Sequence, residues 1–397
     1  MTTDRKVCVL TNGCADNCVD AARIQEFFKA NGFTITDRVA DADVILFNAC
    51  GLRESQENAA KRIMSRIEAR KKNGAQVIIG GCLTKINKAF EQGTTFGVDD
   101  DLVVLDEIFN AKISIRDVHA NYTAAKTDNL DSVFWKMLRR KSLARKLRQC
   151  HALLCPSKYE GMDLNPNRFV IKVSTGCIGA CSFCAVRLSR GKLKSKPIDP
   201  VVSEFESGLR KGYRQFLLTG TDVGCYGRDQ GYNLVTLLNE LIGRNGDCKI
   251  RIRNCEPSLL IEMLPALEPV LQSGKISHFT TAAQSGNNRI LRLMNRNYRI
   301  EDFKQAIRTL NRDFPWIEIR TQLMLGFPTE TDREFQDTLR LLDEVRFDAI
   351  GAFAFSPRAG TKAAALDGRI PKRIVARRLR ELAKRSNVPI NVEPPCD

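Results

Sequence analysis

From Phe169 onward the chain is punctuated by six short strand-like runs: Phe169–Val173, Gln215–Leu218, Lys249–Arg253, Ile276–Thr281, Ile317–Leu325 and Ala349–Phe355. Helical segments lie between them. Alternation of this kind reads as buried parallel strands with crossover helices. Six such strands in series predict a partial (β/α)6 barrel over residues 167–386, with its chemistry at the C-terminal ends of the strands.

The first 120 residues repeat the rhythm on a smaller scale. Lys6–Leu10, Val44–Phe47 and Val77–Ile79 read as strands. Val19–Ala30 reads as a helix stopped by Asn31-Gly32, and Glu54–Lys72 as a charged helix ended by Asn73-Gly74. The expectation for residues 1–120 is a separate parallel-sheet α/β domain, and 397 residues exceed what one core usually holds. Residues 121–166 break the pattern and read as a basic linker. Within it, Lys136–Arg148 carries seven basic residues interleaved with Leu138, Leu143 and Leu147 and preceded by Trp135. That pattern suits an amphipathic helix for RNA or a partner, and equally a solvated linker helix packed by its leucines. The segment Lys372–Arg385 reads as the last helix, and residues 387–397 as a tail.

No stretch of about 18 apolar residues appears, and Met1–Asp16 lacks the pattern of a secretory signal. These features predict a cytoplasmic chain without a membrane span, in which the 14 cysteines serve metal or redox chemistry rather than disulfides. The net charge of +16 favours a polyanionic partner such as RNA, although a basic surface also aids solubility.

Cys177, Cys181 and Cys184 form C-x₃-C-x₂-C immediately after the first barrel strand. Three thiolates at this spacing suit a [4Fe–4S] cluster with one iron left open. S-adenosylmethionine is the ligand that such an open iron suits. A zinc site wants four N or S ligands, and the chain has three histidines, none near this loop. A second set is dispersed: Cys14, Cys50 and Cys82 each follow one of the three N-terminal strands. The C-terminal ends of parallel strands share one edge, so these residues converge there, as a second cluster site or as buried structural cysteines. Among the others, Cys8 falls in a strand, Cys18 lies near Cys14, Cys150 and Cys155 lie in the linker, and Cys225 lies in the loop after the second barrel strand.

The loop STGCIGACSFCAVRLSRG resembles the radical-SAM enzymes. The later segments LTGTDVGCYG, AAQSGNNRILRLMNR, LMLGFPTET and FSPRAGTKAA, in this order, narrow the resemblance to the methylthiotransferases. The resemblance implies two [4Fe–4S] clusters, the second held by Cys14, Cys50 and Cys82, together with S-adenosylmethionine and an external electron donor. It also implies site roles. Phe183 belongs beside the cluster, and Thr219, Gly220 and Thr221 near the methionine moiety. Gln284 and Ser285 belong near the ribose, and Leu325, Gly326 and Phe327 near the adenine. The implied reaction inserts sulfur, as a methylthio group, into an unactivated C–H bond, and the charge favours a tRNA nucleoside as substrate. Sulfur insertion into a peptide, protein side chain or natural product stands as the alternative, as does a two-cluster enzyme without sulfur transfer. The chain departs from the family pattern at Arg187 (often proline), Gln322 (usually aspartate) and Thr329 (usually glycine). It also departs in having no segment long enough for the family's small C-terminal β-barrel domain, a place that the basic segment Lys136–Arg148 fills as an expectation.

Overall fold

Parallel neighbours need a crossover connection such as a helix, and both large sheets of the computed structural model are all-parallel. The structure describes residues 5–91, 93–124, 165, 167–393 and 395–396. The chain divides into two compact units, residues 1–166 and 167–397. The basic segment Lys136–Arg148, Cys150 and Cys155 lie outside the described residues.

In the first unit, β1 (Lys6–Thr11), β2 (Thr34–Ile35), β3 (Val44–Asn48), β4 (Gln76–Gly80) and β5 (Thr95–Phe96) form a sheet of order β2-β1-β3-β4-β5. Alternate residues of each strand serve opposite faces. Val7, Val9, Val44 and Leu46 join a core with Ile24, Phe27 and Phe28 of the helix Ala15–Ala30. Cys8, Leu10, Ile45 and Phe47 join another with Ala60, Ile63 and Ile67 of the helix Glu54–Arg70. Each large apolar side chain so buried contributes about 1.5–3 kcal/mol. Cys8 is a core thiol, pushed up to about 12 by burial. The two-residue strands β2 and β5 escape the sequence reading because so short a run has no periodicity to detect.

In the second unit, β6 (Arg168–Lys172), β9 (Gln215–Thr219), β10 (Lys249–Ile252), β11 (Ile276–Thr280), β12 (Glu318–Leu325) and β13 (Ala349–Ala354) lie side by side in chain order. A short antiparallel pair, β7 (Ser174–Thr175) and β8 (Lys194–Ser195), sits outside the sheet. One face of the strands carries Phe169, Ile171, Phe216, Leu218, Ile250 and Ile252, packed in a single core with the covering helices. The helix Lys372–Arg385 buries Val375, Leu379 and Leu382 against it.

Residues read from the sequence as a tail contribute a further strand. β14 (Ile390–Glu393) pairs in parallel with β13, from Ile350↔Ile390 to Phe353↔Glu393, so seven strands form the sheet. Four residues flanked by prolines carry too little pattern to predict. The strand exists because β13 would otherwise end the sheet with an unpaired row of backbone groups. No helix among the described residues is long and apolar enough to cross a membrane.

Candidate functional site

The register of the first sheet brings its cysteines together. Thr11 pairs with Asn48, and Asn48 with Gly80, so β1, β3 and β4 end level. Cys14, Cys50 and Cys82 then follow within two or three residues of those ends. Asn17 binds two of them: its Oδ1 accepts from Cys14 Sγ at 3.7 Å and Cys82 Sγ at 3.6 Å. Cys50 is pushed up to about 12 by burial and by the neighbouring thiols of Cys14 and Cys82, so all three share one environment.

Backbone and amide bonds fix this nest. Asn12 Oδ1 accepts from the Cys50 N–H at 2.8 Å, while its Nδ2 donates to the Gln56 carbonyl at 2.8 Å. Asn48 Nδ2 donates to the Asn17 carbonyl at 2.9 Å, and Asn17 Nδ2 donates back to Asn48 Oδ1 at 3.2 Å. Gly81, at φ +88°, turns the chain from β4 into the helix Cys82–Ile86, and a Cβ there would overlap Asn48 Oδ1. Cys18 is buried, with its thiol 4.0 Å from the Gly13 carbonyl oxygen.

In the second unit the cysteines sit in one loop between β7 and β8. Gly176, at φ +68°, opens the loop, and its N–H donates to Thr221 Oγ1 at 3.1 Å. Ser182 N–H donates to the Met294 carbonyl at 2.9 Å, Asn295 Nδ2 to the Ala180 carbonyl at 2.8 Å, and Ala363 N–H to the Ser182 carbonyl at 2.8 Å. The loop is thereby tied to the segment after the helix Asn288–Leu293 and to the loop that follows β13.

Cys177 Sγ accepts from the Gly179 N–H at 3.1 Å and lies 3.6 Å from Asp222 Oδ2. Its thiol is lowered to about 6, chiefly by a hydrogen bond from Cys225, against the opposing effect of burial. Ligand atoms of Cys177, Asp222 and Cys225 all lie within 4.8 Å of one another. Asp222 is held well above the usual carboxylate range by burial and by Cys177. Cys181 faces Arg296, whose Nη1 donates to Sγ at 3.5 Å and pairs with Glu256 at 3.2 Å. Burial still raises the Cys181 thiol, and it pushes Cys184 up to about 11. Sequence reading did not single out Asn12, Asn17, Asp222, Glu256 or Arg296. Asp222 stands three residues before Cys225 in a loop already quoted, and Asn12 and Asn17 flank Cys14, so adjacency was the available signal.

The remaining residues singled out from the sequence lie on successive strand ends. Thr219 closes β9 and is fully buried, and a Cβ on Gly220 would press on Ser174 Oγ. Gln284 bridges to β12: its N–H donates to the Gln322 carbonyl and its carbonyl accepts from the Met324 N–H, each at 2.8 Å. Gln284 adopts φ +63°, and its buried Oε1 has no hydrogen-bond partner among the described residues. The same holds for Ser174 Oγ and Thr281 Oγ1. Ser285 is buried and its Oγ accepts from the Asn287 N–H at 3.2 Å. Leu325 ends β12, and the Gly326 N–H donates to Glu330 Oε2 at 2.7 Å. Phe327 meets Phe355 edge to face at 5.2 Å and shares an apolar patch with Phe183 and Met324.

Two of the departures carry structure of their own. Thr329 adopts φ +67°, a left-handed conformation that costs a β-branched residue about 1–3 kcal/mol. Arg289 holds it there, donating to the Thr329 carbonyl at 2.8 Å while pairing with Glu334 at 2.5 Å. Arg187 reaches back over the cysteine loop, with Nη1 3.4 Å from the Gly179 carbonyl.

Both cysteine sets fit an iron–sulfur cluster. Three thiols leave one iron of a cubane without a protein ligand. Buried thiols that stay protonated, such as Cys50 and Cys184, ionise only against a cationic partner, which cluster iron supplies. The unpartnered Gln284 Oε1, Ser174 Oγ and Thr281 Oγ1 fit a polar ligand seated across the strand ends.

Comparison with known proteins follows the same division. Residues 171–342 match the family described as the radical SAM superfamily, and residues 6–102 match the uncharacterized protein family UPF0004. A probable threonylcarbamoyladenosine tRNA methylthiotransferase of Archaeoglobus fulgidus is 32% identical, over 95% of this chain and 82% of its own. That of Pyrococcus horikoshii is 30% identical, over 90% of this chain and 79% of its own. A tRNA-2-methylthio-N(6)-dimethylallyladenosine synthase of Syntrophomonas wolfei is 29% identical, over 95% of this chain and 81% of its own. Among solved structures, the radical S-adenosylmethionine methyltransferase TsrM of Kitasatospora setae superposes with a TM-score of 0.58 at 14% identity. That match covers 91% of this chain and 77% of that one, and it speaks to the fold alone.

Proposed function

The chain belongs to the radical-SAM methylthiotransferase family, and from that premise we propose that it inserts sulfur, as a methylthio group, into an unactivated C–H bond of an N6-modified adenosine in tRNA. Membership carries with it a [4Fe–4S] cluster and S-adenosylmethionine. In this reading Cys177, Cys181 and Cys184 hold that cluster, and Cys14, Cys50 and Cys82 hold a second. The observation that carries the reading is the presence, in one chain, of two separate three-thiol sites, one in each unit.

When bound, the two clusters supply the electron that breaks the sulfonium C–S bond of S-adenosylmethionine and the sulfur that is transferred, with an external donor providing the electron. The chain's own residues position and enclose. Gln284 Oε1 is available to accept from a ribose hydroxyl, and the close packing of Gly220 on Ser174 sets the strand end at which Thr219 and Thr221 would meet the methionine end. Phe183 and Phe327 present one apolar patch that excludes water on the adenine side. Arg296 holds Cys181 through a charge-assisted contact that is itself anchored on Glu256. The net charge of +16 supports an RNA substrate and, with it, a cytoplasmic place of work.

The test is anaerobic reconstitution with iron and sulfide, then incubation with S-adenosylmethionine, a reductant and bulk tRNA. Mass spectrometry of digested nucleosides and small molecules reads the result. Formation of 5′-deoxyadenosine with a methylthio-bearing adenosine is the expected outcome. 5′-Deoxyadenosine without any altered nucleoside would move the substrate to a peptide or small molecule.

A further inference from the structure

Among the described residues five large apolar side chains are well exposed, and two of them, Ile178 at 49% and Leu188 at 44%, flank the cysteine loop of the second unit. Ile178 follows Cys177 directly, and Leu188 lies in the helix Val186–Arg190 just after Cys184. Arg187 ties the two ends together, because its Nη1 meets the carbonyl of Gly179, the neighbour of Ile178, at 3.4 Å. A single exposed apolar residue needs no explanation, but an apolar pair on one loop, rimmed by polar groups, marks a place where a partner sits.

The charge around the pair has one sign. From Cys177 to Pro197 the chain carries five basic residues and no acidic one. Arg190 is buried and Lys196 pairs with Glu204 at 2.5 Å, whereas Arg187 and Lys192 are exposed. The Lys192 carbonyl backs onto Gly176, where an added Cβ would lie 2.0 Å from its oxygen, so Lys192 stands at the root of the loop. Lys362 is a third exposed cation. It lies between Gly360, whose added Cβ would touch Leu188 at 3.1 Å, and Ala363, whose N–H donates to the Ser182 carbonyl at 2.8 Å. An apolar centre with a basic rim is thus built on the loop that carries the thiols.

We infer that this face receives the external electron donor, a small acidic protein bearing a flavin or an iron–sulfur centre. The inference rests on the reading that Cys177, Cys181 and Cys184 hold a cluster, and it names the surface through which that cluster is reduced. One electron leaves the donor, which is oxidised by one unit, and the cluster is reduced by one unit, with no bond or proton exchanged at the face. Electron transfer falls steeply with distance, and a protein seated on Ile178 is one residue from a cluster ligand. Electron-transfer interfaces are small and transient, with an apolar centre for contact and opposite charge for steering. Single-stranded RNA prefers aromatic rings on which bases stack, and Ile178 and Leu188 are not such platforms.

The experiment uses the reconstituted full chain and, as probe, a purified flavodoxin, which is acidic. Calorimetry measures its binding. Formation of 5′-deoxyadenosine from S-adenosylmethionine is driven in parallel by the reduced flavodoxin and by dithionite, a small reductant that needs no docking face. Leu188→Ser, Lys192→Glu and Lys362→Glu, combined, are expected to weaken flavodoxin binding about tenfold or more and to slow the flavodoxin-driven reaction in step. The dithionite-driven reaction stays as in the unaltered chain, which also shows that the variant is folded and loaded. Ile178→Ser, beside a ligand, is read by binding alone. Binding to the unaltered chain falls as salt rises, because the rim is charged. Absence of binding by the unaltered chain at low salt, or binding that the variants leave unchanged, would overturn the assignment. Equal losses with dithionite would make these residues supports of the loop, and a matching loss of tRNA binding would give the face to RNA; either result overturns it. If dithionite yields no 5′-deoxyadenosine with the unaltered chain, the cluster reading fails and this surface with it. If both donors yield 5′-deoxyadenosine and no nucleoside is altered, the surface stands and only the tRNA reading fails.

Discussion

The two cysteine sites use the same residue type and reach it by opposite routes. In the second unit, Cys177, Cys181 and Cys184 lie within one loop, so their proximity is a local property of the chain. In the first unit, Cys14, Cys50 and Cys82 are dispersed over 69 residues, and only the level ends of β1, β3 and β4 bring them together. The local site has ionisable side chains as partners, with Arg296 against Cys181 and Asp222 against Cys177. The dispersed site has amides, Asn12, Asn17 and Asn48, which tie one strand end to the next. A loop can be held by a few contacts at its rim. A nest built from three strands needs bonds that fix the strands to one another.

The largest test of this contrast removes one thiol from each site. Cys181→Ala is expected to abolish 5′-deoxyadenosine formation. Cys82→Ala is expected to leave that product and abolish methylthio transfer, both measured by mass spectrometry after reconstitution. If Cys82→Ala loses both products, the sites are not functionally separable and the comparison breaks.

A smaller effect is expected in the metal-free chain. Cys177 lies near 6 and Cys50 near 12, so at pH 7.5 Cys177 is ionised and Cys50 is not. Thiolate is the reactive form, and iodoacetamide should label Cys177 at least about a hundredfold faster, as read by peptide mass. Labelling of Cys177 should fall as the pH drops through 6, because protonation removes the nucleophile. Similar rates at both cysteines would erase the electrostatic difference between the sites.

The smallest effect concerns backbone. Gly81→Ala meets Asn48 and Ala49 at a positive φ and is expected to cost about 1–3 kcal/mol in urea denaturation of the first unit. At Gly179, where φ is not positive and an added Cβ has only Cys177 Sγ and Cys181 Sγ nearby, at 3.2 and 3.9 Å, alanine is expected to cost less than about 1 kcal/mol. Equal costs would mean that the loop is as rigidly determined as the strand nest.

Much of this was legible in advance, for identifiable reasons. The six barrel strands and the helix Lys372–Arg385 show in the sequence because hydrophobic periodicity is a direct record of which face is buried. The C-x₃-C-x₂-C loop shows because its spacing is a covalent fact. β14 did not show, since its four residues are a strand only by virtue of the edge that β13 offers. Asn17 was equally silent: an asparagine near a helix start has many uses, and its contact with both Cys14 and Cys82 exists only after β4 has docked.

By itself, then, the sequence determined the parallel α/β architecture, the contiguous thiol loop and the family, all of which rest on order and spacing along the chain. Tertiary structure decided what depends on register between strands. It set the nest of Cys14, Cys50 and Cys82, the approach of Asp222 and Cys225 to Cys177, and the sharing of Glu318 by Arg251 and Arg320. The physical reason is that a one-residue shift in pairing turns every side chain of a strand to the other face, and no single strand's sequence states which neighbour will fix it.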